Sequence, residues 1–359
     1  MPIRAGALSS LLVALGIATS LPTPARAASS GKVVEVGSAR GVAGRIVRGS
    51  LKVAEDSDGT PVALPVAVVM GRRPGPVVWV DAASHGDEYG GVRALQEVVG
   101  SLDPEAMSGT LVAVMIANPP AFQALQRLNP SLDDLTDMHD VFPGRERFTT
   151  ERIAAALAAG VKAQADYFVD LHTGGDRFRQ FPFVLYSIVG GVTEERYDTL
   201  ARGFGVPTLW RDTARTFPND AITYFSSNGI PAFLLEVGGG QPLDAADVRL
   251  QADAVRSFLR AVGVLAGAPT AVPQYTIVSG YRIVTNSRGG FFEAAVTPGE
   301  RIREGTVLGR MVDVHGETSE TIAAPAGAEI VLGVCTYPAA ATGGWLLELG
   351  AGLSAAPGR

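Results

Sequence analysis

Hydrophobic residues in this chain fall into short strand-like runs alternating with longer runs of helical period. Residues 46–53 and 62–70 alternate apolar and polar positions on either side of Asp58-Gly59, the pattern of antiparallel strands joined by a turn. The next run, Val77-Val78-Trp79-Val80-Asp81-Ala82-Ala83, is nearly continuous in apolar character and predicts a strand buried on both faces. It ends in Ser84-His85-Gly86-Asp87-Glu88, where Gly86 is expected to turn the backbone so that His85 and Glu88 converge. From Tyr89 to about Leu102 a helix follows, with Val92, Leu95, Val99 and Leu102 on one face.

The same grammar repeats downstream. Residues 110–116 form a strand stopped by Asn118-Pro119-Pro120, since proline cannot donate to a sheet ladder. Residues 120–150 have little periodicity, and a connection this long in a folded domain is a functional or mobile segment. Thr149 or Thr150 can cap an alanine-rich helix over 151–159, and 166–173 is a strand ending at His172. Thr193 caps a helix running to Arg202, residues 207–210 form a strand, and a short helix from Asp220 ends at Gly229. Residues 230–237 then make a strand carrying Glu236, and Asp244 caps a helix with Val248, Val255, Phe258, Leu259 and Val262 on its apolar side. Gly267, Pro269 and Pro273 mark a linker, after which 277–348 shows only short strands and turns. The pattern therefore predicts an α/β domain over 28–268, a mixed sheet flanked by helices, and a small C-terminal β domain over 273–350.

Composition narrows the class. The chain has 359 residues, 47% hydrophobic and 18% charged, enough for a substantial core. Its formal charge is −6 and it has no basic cluster, which argues against nucleic acid as a partner. Residues 1–27 have the form of a secretory signal peptide: Arg4, then an apolar stretch over 11–21, then Ala25-Arg26-Ala27 as a cleavage site. The expected location is periplasmic or secreted, with no stable membrane association once the leader is removed. The oligomeric state is not fixed by the sequence. With one cysteine, Cys335, no intramolecular disulfide can form, and its apolar neighbours predict a buried thiol.

The candidate chemistry lies at the strand ends. His85, Glu88 and His172 make a two-imidazole, one-carboxylate set, the ligand composition of catalytic zinc sites that keep one position open. Asp170 shares a strand face with His172 and suits a group that orients it. Glu236 is a carboxylate within an apolar strand, costly unless paired, protonated or employed, and it suits proton transfer beside the metal. No Gly-x-Ser-x-Gly elbow is present, so a serine hydrolase is excluded.

Five short motifs occur in order: His85-Gly86-Asp87-Glu88, Asn118-Pro119 with Arg127, Phe142-Pro143-Gly144, Asp170-Leu171-His172-Thr173 and Glu236-Val237-Gly238. In this order they resemble the succinylglutamate desuccinylase/aspartoacylase family of the zinc carboxypeptidase-like group, over roughly residues 75–348. The resemblance implies that His85, Glu88 and His172 hold one Zn2+ per chain, that Glu236 acts as general base and then general acid, and that Arg127 polarises the scissile carbonyl. It implies a substrate-binding role for Asn118 and for the positions of His139 and Asp140. At those two positions the family usually carries Asn-Arg, which grips a substrate carboxylate. Here a cationic fork is replaced by His139-Asp140, which disfavours a carboxylate and favours an amine or amide. The expectation is thus a secreted zinc-dependent hydrolase cleaving an amide bond in a small N-acyl amino compound or short peptide. The alternative is a metal-binding but non-catalytic ligand-binding protein on the same scaffold.

Overall fold

A computed structural model describes residues 33–358; the leader assigned to 1–27 lies outside them. A short hairpin of β1 (Glu35–Val36) and β2 (Ala39–Arg40) lies against the antiparallel pair β3 (Arg45–Glu55) and β4 (Pro61–Met70). The α/β part continues through β5 (Arg73–Ala82), α1 (Tyr89–Ser101), β6 (Ser108–Val114), α2 (Pro119–Gln123) and α3 (Thr149–Gln164). It is completed by β7 (Tyr167–His172), β8 (Phe178–Ser187), α4 (Glu194–Arg202), β9 (Thr208–Asp212), α5 (Ala221–Ser227), β10 (Ala232–Gly238) and α6 (Ala245–Ala261). Then come β11 (Gln274–Val278), β12 (Gly280–Thr285), β13 (Gly290–Ala294), β14 (Val307–Val312), β15 (Thr318–Ala323), β16 (Ala328–Cys335), β17 (Ala339–Ala340), β18 (Trp345–Ala351) and β19 (Ser354–Pro357).

At the centre, β10, β7, β5 and β6 run parallel, and antiparallel strands extend the sheet on both sides. The faces are sorted by alternation along each strand. On β5, Val78, Val80 and Ala82 join one core with Leu95 of α1 and Phe258 of α6, while Val77 and Trp79 join another with Leu157 of α3 and Phe225 of α5. Burial on both faces explains why β5 is apolar throughout rather than alternating. Among the described residues, no helix is long and apolar enough to cross a membrane.

The C-terminal strands do not stand apart from this sheet. β16 pairs antiparallel with β8, Gly333 opposite Gln180 and Cys335 opposite Phe178, so the sheet runs on into β18 and β12. A second sheet, β15-β14-β13-β17, covers a core of its own that includes Leu308, Met311, Leu346 and Leu349. Cys335 is buried there as a free thiol, as expected.

Two local expectations are corrected and one strand is added. The strand β8 was not foreseen, because Pro182 interrupts its apolar run. In the sheet Pro182 falls at a bulge: Phe183 pairs with Glu236 and Gln180 with Gly238, so two residues of β8 oppose one of β10. Helix α3 is not capped by Thr149 or Thr150. Asp134, reaching back from the irregular segment, accepts from the Thr150 amide at 2.8 Å and from its hydroxyl at 2.9 Å. Lastly, the residue in the left-handed region before His85 is Ala83, at φ 56°, and not Gly86. Gly86 is required for a different reason, since a Cβ there would lie 2.0 Å from the Ala121 backbone.

Candidate active site

Parallel register brings the chemical residues together. Asp81 on β5 is the Cα partner of Asp170 on β7, and His172 on β7 is the partner of Glu236 on β10. By alternation all four side chains lie on the same face as Trp79, Phe168 and Leu234. His85 and Glu88 arrive from the loop after β5. Its left-handed Ala83 costs about 1 kcal/mol, and the loop is held by the amide of Asn118 donating to the Ala83 carbonyl at 2.9 Å. The side chain of Asn118 donates to the Ser84 carbonyl at 3.3 Å and accepts from the Ala121 amide at 3.4 Å. Asn118 therefore lies beneath the loop as a support, away from the substrate-binding position the motif suggested.

Glu88 bridges the two imidazoles. Oε1 lies 2.6 Å from Nδ1 of His85, and Oε2 lies 2.9 Å from Nδ1 of His172 and accepts from the Thr173 amide at 2.9 Å. The far nitrogens also face carboxylates: Nε2 of His85 is 3.0 Å from Asp137, and Nε2 of His172 is 3.0 Å from Asp170. Ser84 donates to the other oxygen of Asp170 at 3.2 Å, and Gln251 of α6 donates to the His172 carbonyl at 2.9 Å. All three of His85, Glu88 and His172 are buried.

The electrostatics follow from this packing. Burial works against charge on His172, but Asp170 and Glu88 outweigh it and raise its pKa well above the usual value. Burial likewise opposes ionisation of Glu88, and His172 and His85 outweigh it, holding the carboxyl well below its usual range. For Glu236 burial is not offset by the pull of His172 and Arg127. Burial pushes its pKa well up, the Glu88 charge adds to the effect, and its Oε1 accepts no hydrogen bond. Asp81 is raised by burial and then by Asp170.

Arg127 reaches this centre with a half-exposed side chain, 3.4 Å from Glu88 and 3.1 Å from Asp137. His139, on a short 3-10 turn over Met138–Asp140, is held down to about 3 by burial and by the charges of His172 and His85. Its Nε2 lies 3.0 Å from Nε2 of His172. The three imidazoles of His85, His139 and His172 each offer a nitrogen within 4.8 Å of the others, so His139, read from sequence as a substrate contact, also stands among the metal-competent groups. Asp140 is exposed at the mouth, and burial followed by Asp137 raises its carboxyl. These groups line one cavity of about 530 Å³, the volume of a small-molecule site.

Two contributors were missed from sequence. Asp137 sits in a segment without periodicity, where nothing local marks it as the partner of His85. Glu348 enters the cavity from β18, over a hundred residues after Glu236 and in a β segment whose place against the site is set by long-range pairing. The Asp137-Met138-His139-Asp140 motif was the one available signal for the first; the second had none.

Comparison with known proteins fits this geometry. Residues 74–262 match the succinylglutamate desuccinylase/aspartoacylase catalytic domain. A curated relative, N-alpha-acetyl-L-2,4-diaminobutyric acid deacetylase of Halomonas elongata, is 27% identical over 290 residues, 77% of this chain and 82% of that one. Among solved structures, the product-bound ectoine utilization protein EutE (DoeB) of Ruegeria pomeroyi superposes with TM-score 0.78 at 24% identity, covering 86% of this chain and 95% of that one. A succinylglutamate desuccinylase of Silicibacter sp. gives TM-score 0.75 at 23% identity, covering 86% and 95%. These two likenesses speak for the fold, and the match over more than half of the chain carries the assignment. The chain belongs to the succinylglutamate desuccinylase/aspartoacylase family.

Proposed function

We propose that this protein is a zinc-dependent hydrolase that removes the acyl group from a small N-acylated amino compound. The carrying observation is the Glu88 carboxylate set between Nδ1 of His85 and Nδ1 of His172, with Glu236 opening onto the same cavity. Each imidazole has carboxylate oxygens at both nitrogens, an arrangement that calls for positive charge on the Glu88 side of both rings. A divalent ion held by His85, Glu88 and His172 fits that demand. Asp137 and Asp170 would then fix each ring by accepting from Nε2. A bound zinc would supply Lewis acidity and make nearby water more acidic.

The chain's own groups divide the remaining work. Glu236, with a raised pKa and an unpartnered oxygen, can take the proton from an attacking water and return it to the departing amine nitrogen. Hydrolysis then balances: water contributes hydroxyl to the acyl carbon and its proton to the amine. Arg127 stands at the same centre and can stabilise negative charge developing on the acyl oxygen. The deacetylase relative, by its name, acts on an N-acetylated diamino acid, which supports a small acylated amino compound as the substrate class.

The test is purification followed by metal analysis and a screen of N-acetyl amino acids, N-acetyl amines and short peptides. Release of a free amine by zinc-loaded protein is expected; failure across the panel overturns the reading. We further propose export, from the form of residues 1–27. N-terminal sequencing of the exported protein should begin at Ala28, and an intact Met1 in cell extract alone would count against it.

A further inference from the structure

The same cavity has a further stretch of lining, called its lobe, that the hydrolytic step does not use. Its wall comes from the C-terminal strands, with Glu348 and Trp345 on β18 and Tyr281 on β12. Glu348 lies deep in the protein yet keeps accessible surface, and that surface opens into the cavity. Gln180 donates to its Oε2 at 2.9 Å, and the Tyr281 phenol also hydrogen-bonds to it. Both of these partners are uncharged. They hold the carboxylate in place without supplying a counter-charge, and burial raises its pKa, so a cation arriving in the cavity would favour the ionised form.

Facing this carboxylate is an aromatic wall. Trp210 and Tyr281 are stacked at 4.5 Å, and Phe217 stands edge-on to Trp210 at 6.0 Å and tilted to Tyr281 at 6.1 Å. Ring faces of this kind carry negative potential and attract cations. The lining is also rich in acidic side chains. Six carboxylates line it (Asp87, Glu88, Asp137, Asp140, Glu236 and Glu348) against two guanidinium groups. Of those two, Arg127 is committed to Glu88 and Asp137, and Arg177 sits over the Tyr337 ring at 5.8 Å.

We propose that Glu348, together with the Trp210–Tyr281–Phe217 wall, forms a subsite for an ammonium group, so that the preferred substrates carry a primary or alkylated amine on the part entering this lobe. The subsite rests on the deacylase reading for its place in turnover, but its affinity for a cation is testable without turnover. Apolar substrates would leave Glu348 without a counter-charge, and acidic ones would meet it with the wrong sign.

The experiment uses zinc-loaded protein and the matched pair butylammonium and butanol. Of the three tryptophans, Trp210 and Trp345 line the cavity and Trp79 is in the core, so intrinsic fluorescence reports on the lobe. Butylammonium should give a saturable fluorescence change that butanol does not, and Glu348→Gln should weaken it at least tenfold. Trp210→Leu should weaken it several-fold, and Glu348→Asp should restore part of what Gln loses. Equal binding of the two probes, or an unchanged affinity in a folded Glu348→Gln protein, overturns the proposal.

Turnover supplies the second arm. The kcat/KM ratio of Nα-acetyl-lysine to Nα-acetyl-norleucine should fall at least tenfold in Glu348→Gln, and an unchanged ratio also overturns the subsite. If the whole substrate panel stays unhydrolysed while butylammonium binds in a Glu348-dependent way, the deacylase reading fails and the subsite stands.

Discussion

Oε2 of Glu88 lies 2.9 Å from Nδ1 of His172, while Nε2 of the same ring faces Asp170 at 3.0 Å. The two sides of the ring are therefore unequal in role. One nitrogen shares a space with Glu88 and His85, and the other is tied to a carboxylate that takes no part in that space. His139 approaches the second side, 3.0 Å from Nε2. If His85, Glu88 and His172 form the ligand set, His172→Ala should lose most of about one zinc per chain, whereas His139→Ala should keep it. Elemental analysis of both variants decides the matter. Equal loss would make the three imidazoles the ligand set instead.

Glu236→Gln removes a titrating group at nearly constant volume. Its carboxyl is raised by burial and by the Glu88 charge, as a group that must both take and give a proton requires. The variant should keep zinc and its melting temperature yet lose roughly 10² or more in kcat. A folded, metal-loaded Glu236→Gln protein with its rate intact would remove Glu236 from the acid/base role.

The fold and most of the site were legible because their signals are local. A fully apolar run ending in His85-Gly86-Asp87-Glu88 tells strand, loop and helix in one pass, and the caps Thr193, Asp220 and Asp244 stand where the hydrophobic period begins. What was not legible depends on distant partners. Ala83 adopts a left-handed backbone because tertiary contacts impose it, and alanine carries no mark of this. Pro182 reads locally as a strand breaker, but the bulge opposite Val237 accommodates it. The motif of Asn118 implies a substrate contact, whereas its buried amide group bonds to Ser84 and Ala121 of the protein itself. Asp137 and Glu348 gain their meaning only when an irregular segment and a C-terminal strand close over the cavity.

Asp220 offers a stability test away from the proposed metal ligands. As the cap of α5, its Oδ1 accepts from the Thr223 amide at 2.7 Å, while its buried Oδ2 has no partner. Burial, with smaller contributions from the Asp170 and Asp212 charges, pushes the carboxyl up to about 7, while the Thr223 bonds pull the other way. The folded value is thus above the unfolded one, near 3.9. Its contribution to stability is fully present below about pH 4 and is lost as pH rises through about 7, by an amount on the order of 4 kcal/mol at most. Asp220→Asn keeps an acceptor for the cap but cannot ionise. Urea unfolding at pH 4.5 and pH 7.5 should show the variant gaining on the wild type at the higher pH. A difference independent of pH would show that Asp220 does not titrate across that window.

Where the resemblance implies Asn-Arg, this chain has His139-Asp140. Asp140 is exposed at the cavity mouth and has the neighbouring Asp137 charge raising its pKa. The nearby basic side chains do not replace the missing cation. Arg147 is paired with Glu151 at 2.8 Å and Arg179 is paired with Asp247, while Arg177 at the rim lies over Tyr337. An exposed charge pair is worth about 1 kcal/mol or less, so the effect on a substrate carboxylate should be several-fold in rate and not thousands. Substrates with a free carboxylate at the mouth should react more slowly than the corresponding amides. Asp140→Arg with His139→Asn should move the acid-to-amide ratio of kcat/KM toward the acid by roughly 3- to 10-fold, and Asp140→Asn by less. Raising the salt concentration should shrink the difference, because the interaction is solvent-exposed. If the ratio is the same in wild type and double variant at low salt, the Asp140 carboxylate does not face the substrate, and selection against acids must come from deeper in the cavity.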